Sequence, residues 1–319
     1  DYDQLLKQLS VQKQALGLND WAYASMVNKV SSRINSARHN ETALLSWFLL
    51  IKSGYSARIA YDDRAVYLLL PSRHEMFDIS YFMFRGKRYY AVDFDGATRN
   101  PGKVYTYDGE YAGASTDLDM RVTPTVASGS RSKKRNLAFE FEGKKYDIEV
   151  SYDSDRIEFL STYPQLSLDL YFDSGVYPVT ATSLQAQLAG AMKGMSEIQA
   201  VNFLLRFVQT SLQYETDEQQ FGKENYLFPE ETLFYPYSDC EDRAVLFAWL
   251  VKSILKLDVI GLDYPGHVAT AVHFHDTVAG DSIDYRGKRY VVSDPTYVNA
   301  KAGVTMPDFR PYKPVVIAY

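Results

Sequence analysis

The chain has 319 residues, 46% hydrophobic and 23% charged, with 26 tyrosines against 12 prolines and 18 glycines; this composition excludes disorder, and the length predicts two or three domains. A net charge of −6 with scattered lysines and arginines excludes the broad basic surface of a nucleic-acid or anionic-membrane binder, and no run reaches the roughly 18 apolar residues that a membrane span needs. A single cysteine excludes an internal disulfide and any multi-cysteine metal site.

The chain opens at Asp1 rather than methionine. We read this as removal of a leader or start segment; a secretory leader is the expectation, and with it an extracytoplasmic location, whether periplasmic, secreted or surface-attached. Helical spacing follows at Leu5, Leu6 and Leu9 and over residues 21–34, then a dense apolar run over 43–51, then strand-like stretches at 65–70 and 89–92. From about 101 the pattern changes to short alternating segments. Residues 137–150 read as a hairpin about a Glu142-Gly143 turn, residues 167–172 continue the strand-like style, and the basic stretch 131–135 reads as a solvated turn between strands. Helical pattern returns after 182, notably over 198–212, followed by the segment around Cys240 and further strands. The expected organisation is therefore a first unit over 1–100, a β-rich middle domain over 101–181 and a final unit over 182–319.

The first and last units read as copies of one another. Arg85-Gly86-Lys87-Arg88-Tyr89 recurs as Arg286-Gly287-Lys288-Arg289-Tyr290, and each copy is followed by an aspartate, Asp93 or Asp294. Upstream, Asn40-Glu41-Thr42 and its apolar run match Cys240-Glu241-Asp242 and its run in the same order and at nearly the same offset. The first copy has Asn40 in place of the cysteine and Asp63-Arg64-Ala65-Val66 around the place of His267. An asparagine supplies no thiolate, so the first copy is expected to be catalytically dead.

Cys240, His267 and Asp294 are the candidate catalytic residues, with 27 residues separating the histidine from the aspartate. A thiolate is favoured at a helix N-terminus, where free N–H groups and the positive end of the macrodipole face the sulfur. Ser238-Asp239-Cys240-Glu241 has the form of a capping box with Ser238 as N-cap and Glu241 at the third helical position. His267 opens an alternating strand and suits the general base and acid; Asp294 suits the carboxylate that orients it. Taken singly, a lone cysteine is a small buried hydrophobe and an Asp-Pro a turn; their conjunction in this order points to thiol acyl transfer. His273 and His275 lack a completing ligand cluster and read as surface residues, so no metal or cofactor is expected.

The segments Tyr237-Ser238-Asp239-Cys240-Glu241-Asp242-Arg243-Ala244, Gly266-His267-Val268 and Ser293-Asp294-Pro295-Thr296-Tyr297 resemble the transglutaminase-like, papain-like cysteine protease superfamily, as among its bacterial members. The resemblance covers about residues 186–300, with a weaker echo over 20–95. It implies an α+β fold of two helix-on-antiparallel-sheet units flanking the β-rich middle domain. It also implies Cys240 as nucleophile, His267 as base and acid, and Asp294 as orienting carboxylate. The family's side-chain oxyanion donor has no clear match: Gln219 and Gln220 are distant, and Tyr235 and Tyr237 are the candidates. The expected function is cysteine-dependent acyl transfer on a peptide or protein amide, foremost hydrolysis. A cross-linking transglutaminase and a non-enzymatic binding or scaffold protein are the alternatives.

Overall fold

The computed structural model describes residues 2–94, 101–123 and 131–319. Helices α1 (Tyr2–Ala15), α2 (Asp20–Ile34) and α3 (His39–Lys52) come first. Strands β1 (Arg58–Tyr61), β2 (Val66–Leu70), β3 (Met76–Phe77), β4 (Tyr81–Phe84), β5 (Lys87–Val92) and β6 (Tyr105–Thr106) follow. A hairpin of β7 (Ser132–Phe141) and β8 (Lys144–Asp153) leads into α4 (Ser154–Leu160), β9 (Gln165–Leu166), α5 (Leu168–Phe172), α6 (Pro178–Ala191) and α7 (Glu197–Ser211). Next come β10 (Gln213–Tyr214), α8 (Asp217–Phe221), α9 (Pro229–Phe234), β11 (Tyr237–Ser238) and α10 (Cys240–Leu250), which runs on as a π turn (Val251–Leu255). Strands β12 (Asp258–Tyr264), β13 (His267–His273), β14 (Ser282–Tyr285), β15 (Lys288–Ser293) and β16 (Val315–Ile317) complete the chain. Among the described residues no helix is long and apolar enough to cross a membrane.

The chain forms two compact units, Asp1–Ala127 with Thr162–Ser167, and Ser128–Ser161 with Leu168–Tyr319. In the first, an antiparallel sheet of order β4-β5-β2-β1-β6 packs Ala60, Tyr67, Leu69 and Tyr89 into one buried cluster. The apolar run 43–51 lies in α3, where Leu49 and Leu50 are wholly buried and Leu44 faces outward. Asn19 caps α2 by accepting the Ala22 N–H. In the second unit an antiparallel sheet of order β14-β15-β13-β12-β16 buries Ile260, Leu262, Tyr264, Ala269, Ala271, Tyr290 and Val292 together. Helix α10 is buried on nearly every side, as the apolar run from Ala244 to Leu250 requires; its charged first turn, Glu241 to Arg243, is buried with it.

The two sheets share one strand order, with β4, β5, β2, β1 and β6 standing where β14, β15, β13, β12 and β16 stand. The repeated Arg-Gly pair makes the same turn in both: Arg85 and Gly86 have φ of 49° and 79°, Arg286 and Gly287 49° and 77°. Two successive positive φ values define the tight turn whose twist matches paired strands, and glycine takes the second at no steric cost.

The segment expected as a separate β-rich middle domain is divided between the units. Its hairpin, β7 paired with β8 about Glu142-Gly143, belongs to the second unit, because two strands alone cannot enclose a core. Phe139 instead packs on Phe203 and Phe207 of α7 at 5.0 and 5.4 Å between ring centroids. The Gln187 amide of α6 meets the Glu149 backbone, accepting its N–H at 2.9 Å and donating to its carbonyl at 2.6 Å. Residues 168–172 form helix α5 rather than a strand; Leu170, Tyr171 and Phe172 are all buried, which a one-sided strand pattern would not give. The basic stretch is not a turn either: residues from Ser132 onward lie in β7, where Lys134 pairs with Glu149 and Arg135 reaches the end of α9.

Candidate active site

Cys240 is the first residue of α10, and Asp239, in extended backbone, is its N-cap. Asp239 accepts from the Asp242 backbone while its own N–H donates to Asp242 Oδ2 at 3.3 Å. The capping box thus lies one residue later than the Ser238–Glu241 box expected. Ser238 is held in β11, parallel to Tyr214 of β10, and its hydroxyl accepts from Arg243 Nε at 3.2 Å. Glu241 is consequently the second helical residue, and its Oε2 accepts the Cys240 thiol at 2.8 Å. The Val268 N–H also reaches the sulfur, which is half-buried. Burial foremost, and then the Glu241 carboxylate, push the thiol well above its usual range.

His267 opens β13 and is buried; its ring stacks on Phe309 at 4.5 Å with an interplanar angle of 14°. Its Nε2 lies 2.9 Å from Asp294 Oδ2. Asp294, just past β15, is fixed in turn: its Oδ1 accepts the N–H groups of Thr296 and Tyr297 at 2.8 and 3.2 Å. A carboxylate only accepts, so Nε2 carries a ring hydrogen in this contact. The structure therefore brings His267 and Asp294 together. Among the described residues no hydrogen bond joins the Cys240 sulfur to the His267 ring; the thiol proton points to Glu241.

Several contributors were not legible in the sequence. Buried Gln209 of α7 donates to the carbonyls of Asp294, Tyr297 and Ala300 at 3.0, 2.9 and 3.1 Å, clamping the loop that carries Asp294. The only sequence signal is an amide at a core position of an amphipathic helix. Tyr214 sits over the Arg243 guanidinium at 5.2 Å. Burial, and then the neighbouring Cys240 and Asp239, push its hydroxyl up. Of the oxyanion-donor candidates, the Tyr235 ring packs on Phe221 and Phe234; Gln219, set aside as distant, is engaged at the start of α8, where it accepts the Thr216 N–H at 3.4 Å. His273 Nδ1 meets the Arg289 carbonyl at 3.0 Å and His275 pairs with Glu197, so the two histidines face different partners.

Carboxylates crowd the start of α10. Oxygens of Asp217, Asp239 and Asp242 lie within 4.8 Å of one another, as do those of Asp217, Glu224 and Glu241. In the first unit, Asn40 Oδ1 accepts the Val66 N–H at 2.9 Å, as the Cys240 sulfur accepts that of Val268. Ala65 precedes Val66 where His267 precedes Val268. That unit has no thiol at the place of Cys240 and no histidine at the place of His267, although the neighbouring His39 has its Nε2 2.9 Å from the Val66 carbonyl. Comparison of the chain with known protein families, with curated proteins and with solved structures finds no match.

Proposed function

We propose that the second unit carries out cysteine-dependent acyl transfer on a peptide or protein amide, with water as the usual acceptor. The observation that carries this reading is the buried His267–Asp294 pair at 2.9 Å, together with a sulfur at the first turn of α10 that receives the N–H of Val268, the residue following His267 on β13. The thiol proton passes to His267 Nδ1 and the sulfur bonds to the amide carbon. Collapse of the tetrahedral adduct breaks the C–N bond, and His267 returns the proton to the departing amine. Water, deprotonated by Nδ1, then attacks the thioester, releasing the acid and restoring the thiol. Asp294 holds the ring and balances the imidazolium. The resemblance of the Cys240, His267 and Asp294 segments to transglutaminase-like proteins supports the same roles.

One observation favours a second, non-enzymatic reading, in which the unit binds a partner without turnover: the thiol donates to Glu241 and is held protonated. Iodoacetamide labelling at pH 6 separates the two. A catalytic thiol reacts faster than free cysteine and slows in His267→Ala; equal rates with no effect of His267→Ala leave the binding reading. A screen of peptide and glutamine-amide substrates with wild type and Cys240→Ala identifies the reaction, and added primary amine shows whether water or an amine takes the acyl group.

A further inference from the structure

Arg58 is buried in β1 of the first unit, 5% exposed, on the face of the sheet that packs Ala60 and Leu69. The second unit shows what that strand position holds when it serves the core alone. Counting back from Val66 and Val268, Arg58 faces Leu69 across β1 and β2 as Ile260 faces Ala271 across β12 and β13. Ile260 belongs to the second unit's apolar cluster, so a guanidinium stands where the other sheet has an aliphatic side chain. Among the described residues no carboxylate pairs with it. Nη1 donates to the Gly109 carbonyl at 3.2 Å and Nη2 to that of Tyr107, two neutral acceptors for five N–H groups; Nε, shielded from solvent, has none. The Phe84 and Tyr107 rings cover the guanidinium, their centroids 3.6 and 4.4 Å from Cζ, which tempers the charge without neutralising it. A buried charge left without a counter-charge is costly, and packing alone gives no reason to keep one here.

Arg58 also forms part of the wall of a cavity of about 410 Å³, the size of a small-ligand site. Phe84, Tyr89, Tyr107 and Tyr111 give that wall its aromatic surface. The Tyr107 hydroxyl accepts from Trp47 Nε1 at 3.2 Å, and the Trp47 and Tyr111 rings meet the Tyr107 ring edge-on, so the surface is set before a ligand arrives. Two further cations line the cavity, and each has its own carboxylate: Arg85 pairs with Asp108 and Glu110, Lys87 with Asp117. Asp108 and Glu110 stand out in solvent, which screens them; Arg58 is neither paired nor screened. We propose that this cavity binds a small monocarboxylic acid with a ring-sized apolar body, the carboxylate meeting the free Nη hydrogens of Arg58 and the body lying against the tyrosine rings. One uncompensated cation calls for one negative charge, and the planar fork of arginine suits the two oxygens of a carboxylate. The site uses neither Cys240 nor turnover, so it is tested independently of the acyl-transfer reading.

The test is calorimetric titration of the full chain with phenylacetate, indole-3-acetate and hexanoate, and in parallel with neutral phenylacetamide and with inorganic phosphate. The expected result is one saturable site for at least one of the carboxylates, with a dissociation constant of roughly 0.1–1 mM, as suits a ligand of about ten heavy atoms. Phenylacetamide and phosphate are expected to bind about 10-fold more weakly or less. Arg58→Met, which keeps an apolar stem in the sheet, weakens the carboxylate about 10-fold or more. Tyr111→Ala, a change at a residue 45% exposed that leaves the fold intact, weakens it about threefold or more. Absence of saturable heat with all three carboxylates at about 10 mM overturns the proposal, and means that Arg58 serves only to hold the carbonyls of Tyr107 and Gly109. Equal binding of the amide overturns it as well, since the site then recognises the ring alone, and tighter binding of phosphate replaces it with a site for dianions. Carboxylate binding unchanged in both Arg58→Met and Tyr111→Ala places the ligand elsewhere and overturns it equally.

Discussion

Asp294 accepts hydrogen bonds and donates none, so its contact with His267 Nε2 fixes which ring nitrogen carries the hydrogen. Asp294→Asn keeps the volume, and the amide oxygen still accepts from Thr296 and Tyr297. The amide NH₂ then faces Nε2 and turns the ring to the tautomer with hydrogen on Nδ1, which takes no proton from the thiol. Turnover of an amide substrate is expected to fall about 10²- to 10⁴-fold, with a nearly unchanged melting temperature; a full rate in this variant removes Asp294 from the mechanism. The meeting of His267 and Asp294 was legible because the types, order and spacing of these residues point to it by themselves. Glu241 was legible only as a cap. Its place beside the sulfur depends on Asp239 rather than Ser238 capping α10, and that follows from the pairing of Ser238 with Tyr214, a contact remote in sequence.

Helices end with unpaired carbonyls, and α9 hands three of them to one side chain. Arg135 Nη1 donates to the carbonyls of Leu233, Phe234 and Tyr235 at 3.0, 3.3 and 2.6 Å, placing a cation at the negative end of the helix. Arg135→Met keeps the stem against the hairpin and leaves the carbonyls without their donor. It is expected to lower unfolding stability by about 1.5–3 kcal/mol, read as a lower urea midpoint; loss below about 0.5 kcal/mol shows that water serves the carbonyls equally well. In sequence Arg135 was one of several basic residues on an alternating stretch, and alternation does not disclose what a strand's charged face will meet. The long periodic elements α2, α7 and the β7–β8 hairpin were legible, since each carries its own pattern over many residues. Helix α5 was not, because five residues with both faces buried leave no period to read.

The common strand order of the two sheets makes the molecule a built-in comparison between a unit with a thiol and one without. Asn40→Ala removes the acceptor of the Val66 N–H and is expected to leave acyl transfer within about twofold of wild type, while Cys240→Ala abolishes it; loss of turnover in Asn40→Ala would assign the first unit a part in the reaction. The second unit also carries a pH dependence of its own. Glu231, in the first turn of α9, is buried, its Oε2 accepting the Phe228 N–H at 3.1 Å, and burial pushes its carboxyl up from 4.5 to about 8. A carboxyl raised on folding stays protonated in the folded chain while the unfolded chain releases its proton. Stability is therefore full below about 4.5, falls as the pH rises towards 8, and is level beyond that, the whole loss being on the order of 3–5 kcal/mol. Glu231→Gln keeps the acceptor for Phe228 and removes the titration. Against wild type it is expected to gain most in denaturation midpoint at pH 8.5 and least at pH 5. A gain of equal size at both pH values would mean that Glu231 is ionised in the folded chain throughout, its charge balanced by the Arg156 that also acts on it.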